Sequence, residues 1–215
     1  MKRRLNQELA RLITAQVCIH AAMAGMRMAT PLLALQQGYS AASVGVLLAL
    51  FALTQVFLAL PAGRFADRHG LHRPLALCVG VSFAGSAVAV AWPHFASLCL
   101  AALCTGGAAG AAVIALQRHV GRLAEGPTEL KKVFSWLSLG PAVSNFVGPF
   151  FAGLMIDHLG FRAAFGLMAL LPLMSWWWSR SVRALPAVEQ VPEHRRRPAW
   201  VLMRDVGFRR LLLIK

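Results

Sequence analysis

Apolar residues fall along this chain in six long runs separated by short polar punctuation. The runs cover about residues 12–35, 41–62, 74–92, 95–116, 133–156 and 163–179. Each is close to the roughly 20 apolar residues that a helix needs to cross a bilayer. Between them stand Gln36 to Ser40, the charged stretch Gly63 to Arg73, the tight reversal Trp92-Pro93-His94-Phe95 and a polar segment from Gln117 to Lys132. The pattern predicts an all-α fold, a polytopic membrane protein with a six-helix bundle over residues 1–180. Residues 181–199, bearing Pro, Arg and Glu, read as a linker, and 200–215 read as the start of a seventh helix.

Composition agrees with the pattern. The chain is 58% hydrophobic and only 14% charged, against roughly 25% charged in soluble domains. Its net charge of +14 does not point to nucleic acid, because the basic residues alternate with spans that lipid would cover instead of gathering on one face. With the amino terminus in the cytoplasm, every one of the 22 lysines and arginines except Arg27 and Arg162 falls on the inner side, as the positive-inside rule requires. The expected location is the cell membrane, multi-pass, with Trp176-Trp177-Trp178 as an interfacial belt. Ala22-Met23-Ala24 resembles a cleavage site, but its apolar run continues past it, so the first run reads as an uncleaved helix. Cys18, Cys78, Cys99 and Cys104 lie inside apolar runs without C-x-x-C spacing and read as small packing residues. No cofactor or metal is expected.

The stretch Gly63-Arg64-Phe65-Ala66-Asp67-Arg68-His69-Gly70-Leu71-His72-Arg73 carries more chemistry than a connecting turn needs. Two glycines bound it, and Asp67 stands within reach of Arg64, Arg68 and Arg73. A solvated positive-inside loop is the plainer reading. Against it stands an internal echo: Gly63-x-x-x-Asp67-x-x-Gly70 recurs as Gly153-x-x-x-Asp157-x-x-Gly160, displaced by 90 residues. The first copy follows the second run and the second copy follows the fifth. Three helices separate them, so the copies belong on opposite membrane faces, which is the arrangement of a 3+3 inverted repeat.

The Gly63 to Arg73 stretch resembles the signature loop between the second and third helices of the major facilitator superfamily. Gly148-Pro149-Phe150-Phe151-Ala152-Gly153 is similar to an element found in antiporters of that superfamily, with Ala152 in place of one glycine. Ala102 stands where drug and proton antiporters carry an arginine ahead of their fourth-helix element. The resemblance implies the amino-terminal six-helix half of a twelve-helix transporter that moves a small molecule by alternating access, with efflux as a possible direction. It also implies that Asp67 joins the neighbouring arginines and the opposite half in a cytoplasmic latch. The expected partners are the lipid bilayer, a small-molecule substrate and either a carboxy-terminal half or a second copy of the chain.

Polar groups inside the runs are the candidates for a substrate cavity. Gln16, His20, Arg27, Thr30 and Pro31 cluster on one helix face at about 100° per residue. An arginine near the centre of a span costs roughly 2.5 to 3.5 kcal/mol on insertion scales, which points to Arg27 as a ligand for an anionic or polar group. His20 is a candidate proton site, since its ordinary pKa is near 6.5. Gln55, Ser144 and Asn145 are further hydrogen-bonding candidates or interhelical contacts. Gly140-Pro141 and Gly148-Pro149 are expected to interrupt or bend the fifth helix. Arg195-Arg196-Arg197 could meet anionic lipid. No nucleophile, metal cluster or phosphate loop suggests an enzyme. Two alternatives stay open: a truncated or regulatory half-transporter, and a six-helix channel or scaffold.

Overall fold

The computed structural model describes residues 2–123, 126–182 and 185. The Arg195 to Arg197 run and the expected seventh helix lie outside the described residues. Six helices make up the bundle: α1 Lys2–Gln36, α2 Ala41–His69, α3 His72–Ala91, α4 Phe95–Leu123, α5 Pro127–Leu159 and α6 Phe161–Ser179. Helices α1 to α5 are long and apolar enough to cross a membrane. The expected sixth span is also a helix, of 19 residues, about 28 Å at 1.5 Å per residue.

The helices overrun the apolar runs, which corrects two expectations. Gly63 to Arg73 is not a turn: α2 continues through Asp67 to His69, and only Gly70 and Leu71 separate it from α3. The charges mark where the helix leaves the apolar layer, not where it ends. Nothing between Arg64 and His69 breaks a helix, and Gly63 lies buried on the packed face. Likewise α4 runs on to Leu123 and α5 begins at Pro127, so most of the polar Gln117 to Lys132 segment is helical. The pairs Gly140-Pro141 and Gly148-Pro149 do not interrupt α5, which is helical through both. Each proline removes one backbone donor and leaves the helix otherwise continuous.

Packing follows the internal echo. Helix α1 packs chiefly on α5 and α6, and α4 chiefly on α2 and α3. Exchanging the first three helices for the last three leaves this pattern unchanged. Individual contacts keep the same register. A Cβ on Gly63 would stand 3.2 Å from Arg118, and one on Gly153 would stand 3.4 Å from Met28. Thr54 lies against Gly107, while Ser144 Oγ donates to the Val17 carbonyl at 3.2 Å. Each α5–α1 pair is the α2–α4 pair displaced by the same 90 residues. The echoed glycines also do the same work. Gly70 and Gly160 end α2 and α5 with φ of 71° and 82°, the left-handed region that glycine enters without strain.

Two seams hold these helices together. On α5, a Cβ at Gly148 would collide with the Ala21 carbonyl oxygen and stand 2.9 Å from the Gly25 amide nitrogen. On α4, a Cβ at Gly106 would stand 2.9 Å from Phe51 Cα. Lipid tails are as apolar as leucine, so helices in a bilayer gain little from hiding apolar surface and associate through close van der Waals fit. Small residues at the crossing supply that fit. Large side chains then fill the space on either side, among them Leu12, Leu75, Leu116 and Leu137 in one buried cluster and Phe51, Leu98, Phe165 and Met168 in another.

Gly148→Val should therefore destabilise the bundle by about 1–3 kcal/mol through overpacking, whereas Gly80→Ala should be silent because nothing lies within 4 Å of its added carbon. Fluorescence-detected size-exclusion after a heat series would separate the two; equal thermal midpoints would refute the assigned crossing.

Candidate functional site

Asp67 occupies the last turn of α2, and its carboxylate is bound by the Arg118 guanidinium of α4. This corrects the expected pairing with the neighbouring arginines. Arg64, Arg68 and Arg73 are exposed instead, with Arg64 and Arg68 along a separate groove. The reason is geometric. Side chains three or four apart share a helix face, but the face of Asp67 is the one turned towards α4, where Gly63 one turn earlier admits the Arg118 side chain. The two side chains retain 46% and 35% exposure, so the pair contributes about 0–1 kcal/mol. A contact of that strength fastens an interface and still opens readily.

Arg118 was not among the sequence candidates, because its pairing rests on how α2 and α4 lie together. Contacts ascend in number together along α2 and α4, from Phe51 with Gly106 to Gly63 with Arg118, so the two helices run parallel. Both leave the apolar layer at the same end of the bundle. Counting residues from the start of each run places Asp67 and Arg118 at similar depth.

The face expected to hold the first-helix polar groups is divided. Gln16 and Thr30 are fully buried, His20 is half-buried, and Arg27 is exposed. Gln16 is thereby removed from any open cavity. Its amide is packed in the α1–α5 seam, where a Cβ on Gly140 would stand 3.0 Å from Gln16 Cδ. Gln55 is half-buried in the matching α2–α4 seam against Gly110. Asn145 is exposed on α5. Ser144 is spent on structure, donating to the Gly140 and Val17 carbonyls at 2.6 and 3.2 Å.

At the other copy of the motif the chemistry changes. Asp157 is exposed in the last turn of α5, and among the described residues it has no ion-pair partner. Met28 stands against Gly153 where Arg118 stands against Gly63. The backbone repeats, and the ion pair does not. The four cysteines are free and buried or half-buried, in line with a packing role.

The sequence matches the family model of the Major Facilitator Superfamily over residues 12–214. The bundle is also similar to an in meso crystal structure of the POT family transporter PepTSo, with a TM-score of 0.65 and 20% sequence identity. That match covers 86% of this chain and 40% of PepTSo, so the chain spans less than half the length of that transporter.

A double-mutant cycle of Asp67→Asn and Arg118→Gln, followed by thermal unfolding in detergent, should give a coupling of about 0.2–1 kcal/mol that shrinks as salt is raised. A coupling above about 3 kcal/mol would mean a dry, buried pair.

Proposed function

The chain belongs to the major facilitator superfamily, and on that premise we propose that it forms half of a secondary transporter that carries a small polar or anionic molecule by alternating access. The observation that carries this reading is Arg27. It is exposed, and among the described residues no carboxylate lies near the middle of any span to neutralise it: Glu8, Asp67, Glu129 and Asp157 all lie towards helix ends. Placing an arginine at that depth costs several times what one leucine returns on the same insertion scale. A substrate carboxylate or phosphate on the guanidinium offsets the cost, and the planar fork favours a bidentate grip.

The remaining candidates take supporting roles. His20 shares a helix face with Arg27, two turns away, and serves as a proton site, while Gln55 and Asn145 offer hydrogen bonds from the flanking helices. A second half, or a second copy of the chain, supplies the opposite wall. The amino terminus lies in the cytoplasm, which makes the Asp67–Arg118 end the inner one. There the pair is a latch element that holds α2 to α4 and whose carboxylate is exchanged between partners as the halves rock. The Gly148 to Gly153 element supports efflux as the direction.

In proteoliposomes of the full-length protein, Arg27→Ala should lower kcat/KM by roughly tenfold or more, the worth of one hydrogen bond to a charged group. Arg27→Lys should fall between, because it keeps the charge without the fork. Uptake and efflux unchanged in both variants would remove Arg27 from the substrate path. Asp67→Asn should slow transport while membrane expression stays at the wild-type level; an equal rate would reduce the pair to a structural contact.

A further inference from the structure

A groove of about 500 Å³ lies between α2 and α3 near the Gly70 end of the bundle. Leu58, Pro61 and Phe65 of α2 form one wall, Leu77 and Cys78 of α3 form the other, and Ala111 comes from α4, which packs on both helices. Leu58 and Leu77 keep 42% and 57% of their surface exposed, so the groove is open to its surroundings. Between Leu58 and Arg68, α2 rises about 15 Å at 1.5 Å per residue, half of the roughly 30 Å hydrocarbon core. That is the depth of one leaflet.

The charge at one end of the groove specifies what fills it. Arg64 and Arg68 line that end, and both are exposed. They stand one helical turn apart, a spacing at which like charges repel. Among the described residues neither has an ion-pair or hydrogen-bond partner. Asp67, the carboxylate nearest in sequence, is held by Arg118, and no carboxylate lines the groove. His69 beside them has its Nδ1 3.2 Å from the Phe65 carbonyl oxygen. Two unpaired guanidinium groups thus stand at the level where α2 leaves the apolar layer, at the head of an apolar slot one leaflet deep. We propose that the groove binds one anionic phospholipid, with its phosphate on Arg64 and Arg68 and an acyl chain between Leu58 and Leu77. The paired forks engage the phosphate oxygens through charge-assisted bonds, and the anion relieves the repulsion between them. Basic pockets between membrane helices are a recurrent setting for lipid headgroups.

The internal repeat supplies a comparison. Displaced by 90 residues, Arg64, Arg68 and Cys78 become Leu154, His158 and Met168. Met168 is fully buried beside Gly25. The second copy therefore has neither the paired guanidinium groups nor the small wall residue, and the lipid site is confined to the leaflet at the Gly70 end. A lipid seated there touches α2 and α3 next to their junction at Gly70 and Leu71, and it stabilises the folded bundle by mass action.

The test titrates phosphatidylglycerol, against a background of phosphatidylcholine, into the full-length protein in detergent and counts retained lipids by native mass spectrometry. One phosphatidylglycerol should bind ahead of all others, saturably and more tightly than phosphatidylcholine. The double variant Arg64→Gln, Arg68→Gln should weaken this first binding by about tenfold or more. Ala62→Phe, which fills the groove and keeps both arginines, should weaken it to a similar extent. Arg73→Gln, an exposed arginine outside the groove lining, should leave it unchanged. The proposal is overturned by equal affinity for the two lipids, by wild-type affinity in either groove variant, or by an equal loss in Arg73→Gln, which would reduce the effect to general surface charge. If Ala62→Phe does not fold, Leu77→Trp at the exposed wall takes its place under the same criterion.

Discussion

Backbone-to-backbone contact between helices is the constraint on which this bundle depends. At Gly148 against Ala21 and Gly25, and at Gly106 against Phe51, the helices approach too closely for even a methyl group. In a bilayer, dispersion is the main attraction between apolar helices, and it fades within fractions of an ångström of the optimum distance. The glycines thus decide which helices can pair. Once α1 lies along α5 and α2 along α4, the positions of Gln16, Gln55, Ser144 and Arg118 follow from the helical repeat.

The two seams are copies of one arrangement, and the chemistry sits where the copies differ. Arg118 against Gly63 makes an ion pair with Asp67, whereas Met28 against Gly153 leaves Asp157 unengaged among the described residues. A displacement of 90 residues also relates Gly106, in the α4 seam, to Gln16, in the α1 seam. The first admits the Phe51 backbone, and the second buries an amide against Gly140. Repetition of the backbone supplies the same scaffold at both ends. Substitution at equivalent positions then gives one end an ion pair that has no counterpart at the other end among the described residues.

Charge at the Asp67 end adds little to the cohesion of the bundle. Half-exposed partners feel a high dielectric and are worth little alone, so the pair adds small increments to an interface whose main cohesion is the glycine seam. His119 is different: it is buried at the same end of the bundle, and its Nε2 meets no hydrogen-bond partner among the described residues.

Much of this was legible in the order of residues. Helix number, the reversals at Gln36 to Ser40 and at Trp92 to Phe95, and the equivalence of Gly63, Asp67 and Gly70 with Gly153, Asp157 and Gly160 all follow from apolar run length and glycine spacing, which are local properties. Polarity misled where it was read as helix termination: the stretches from Gly63 and from Gln117 stay helical because a helix needs no lipid around it, only uninterrupted backbone hydrogen bonds. Three assignments required the fold itself. Asp67 pairs across to Arg118 and not along its own segment, Gln16 is sealed in a seam while Arg27 is exposed, and His119 is buried. Each depends on which face of one helix meets another, and the distance between residues 67 and 118 in the chain carries no trace of their contact in space.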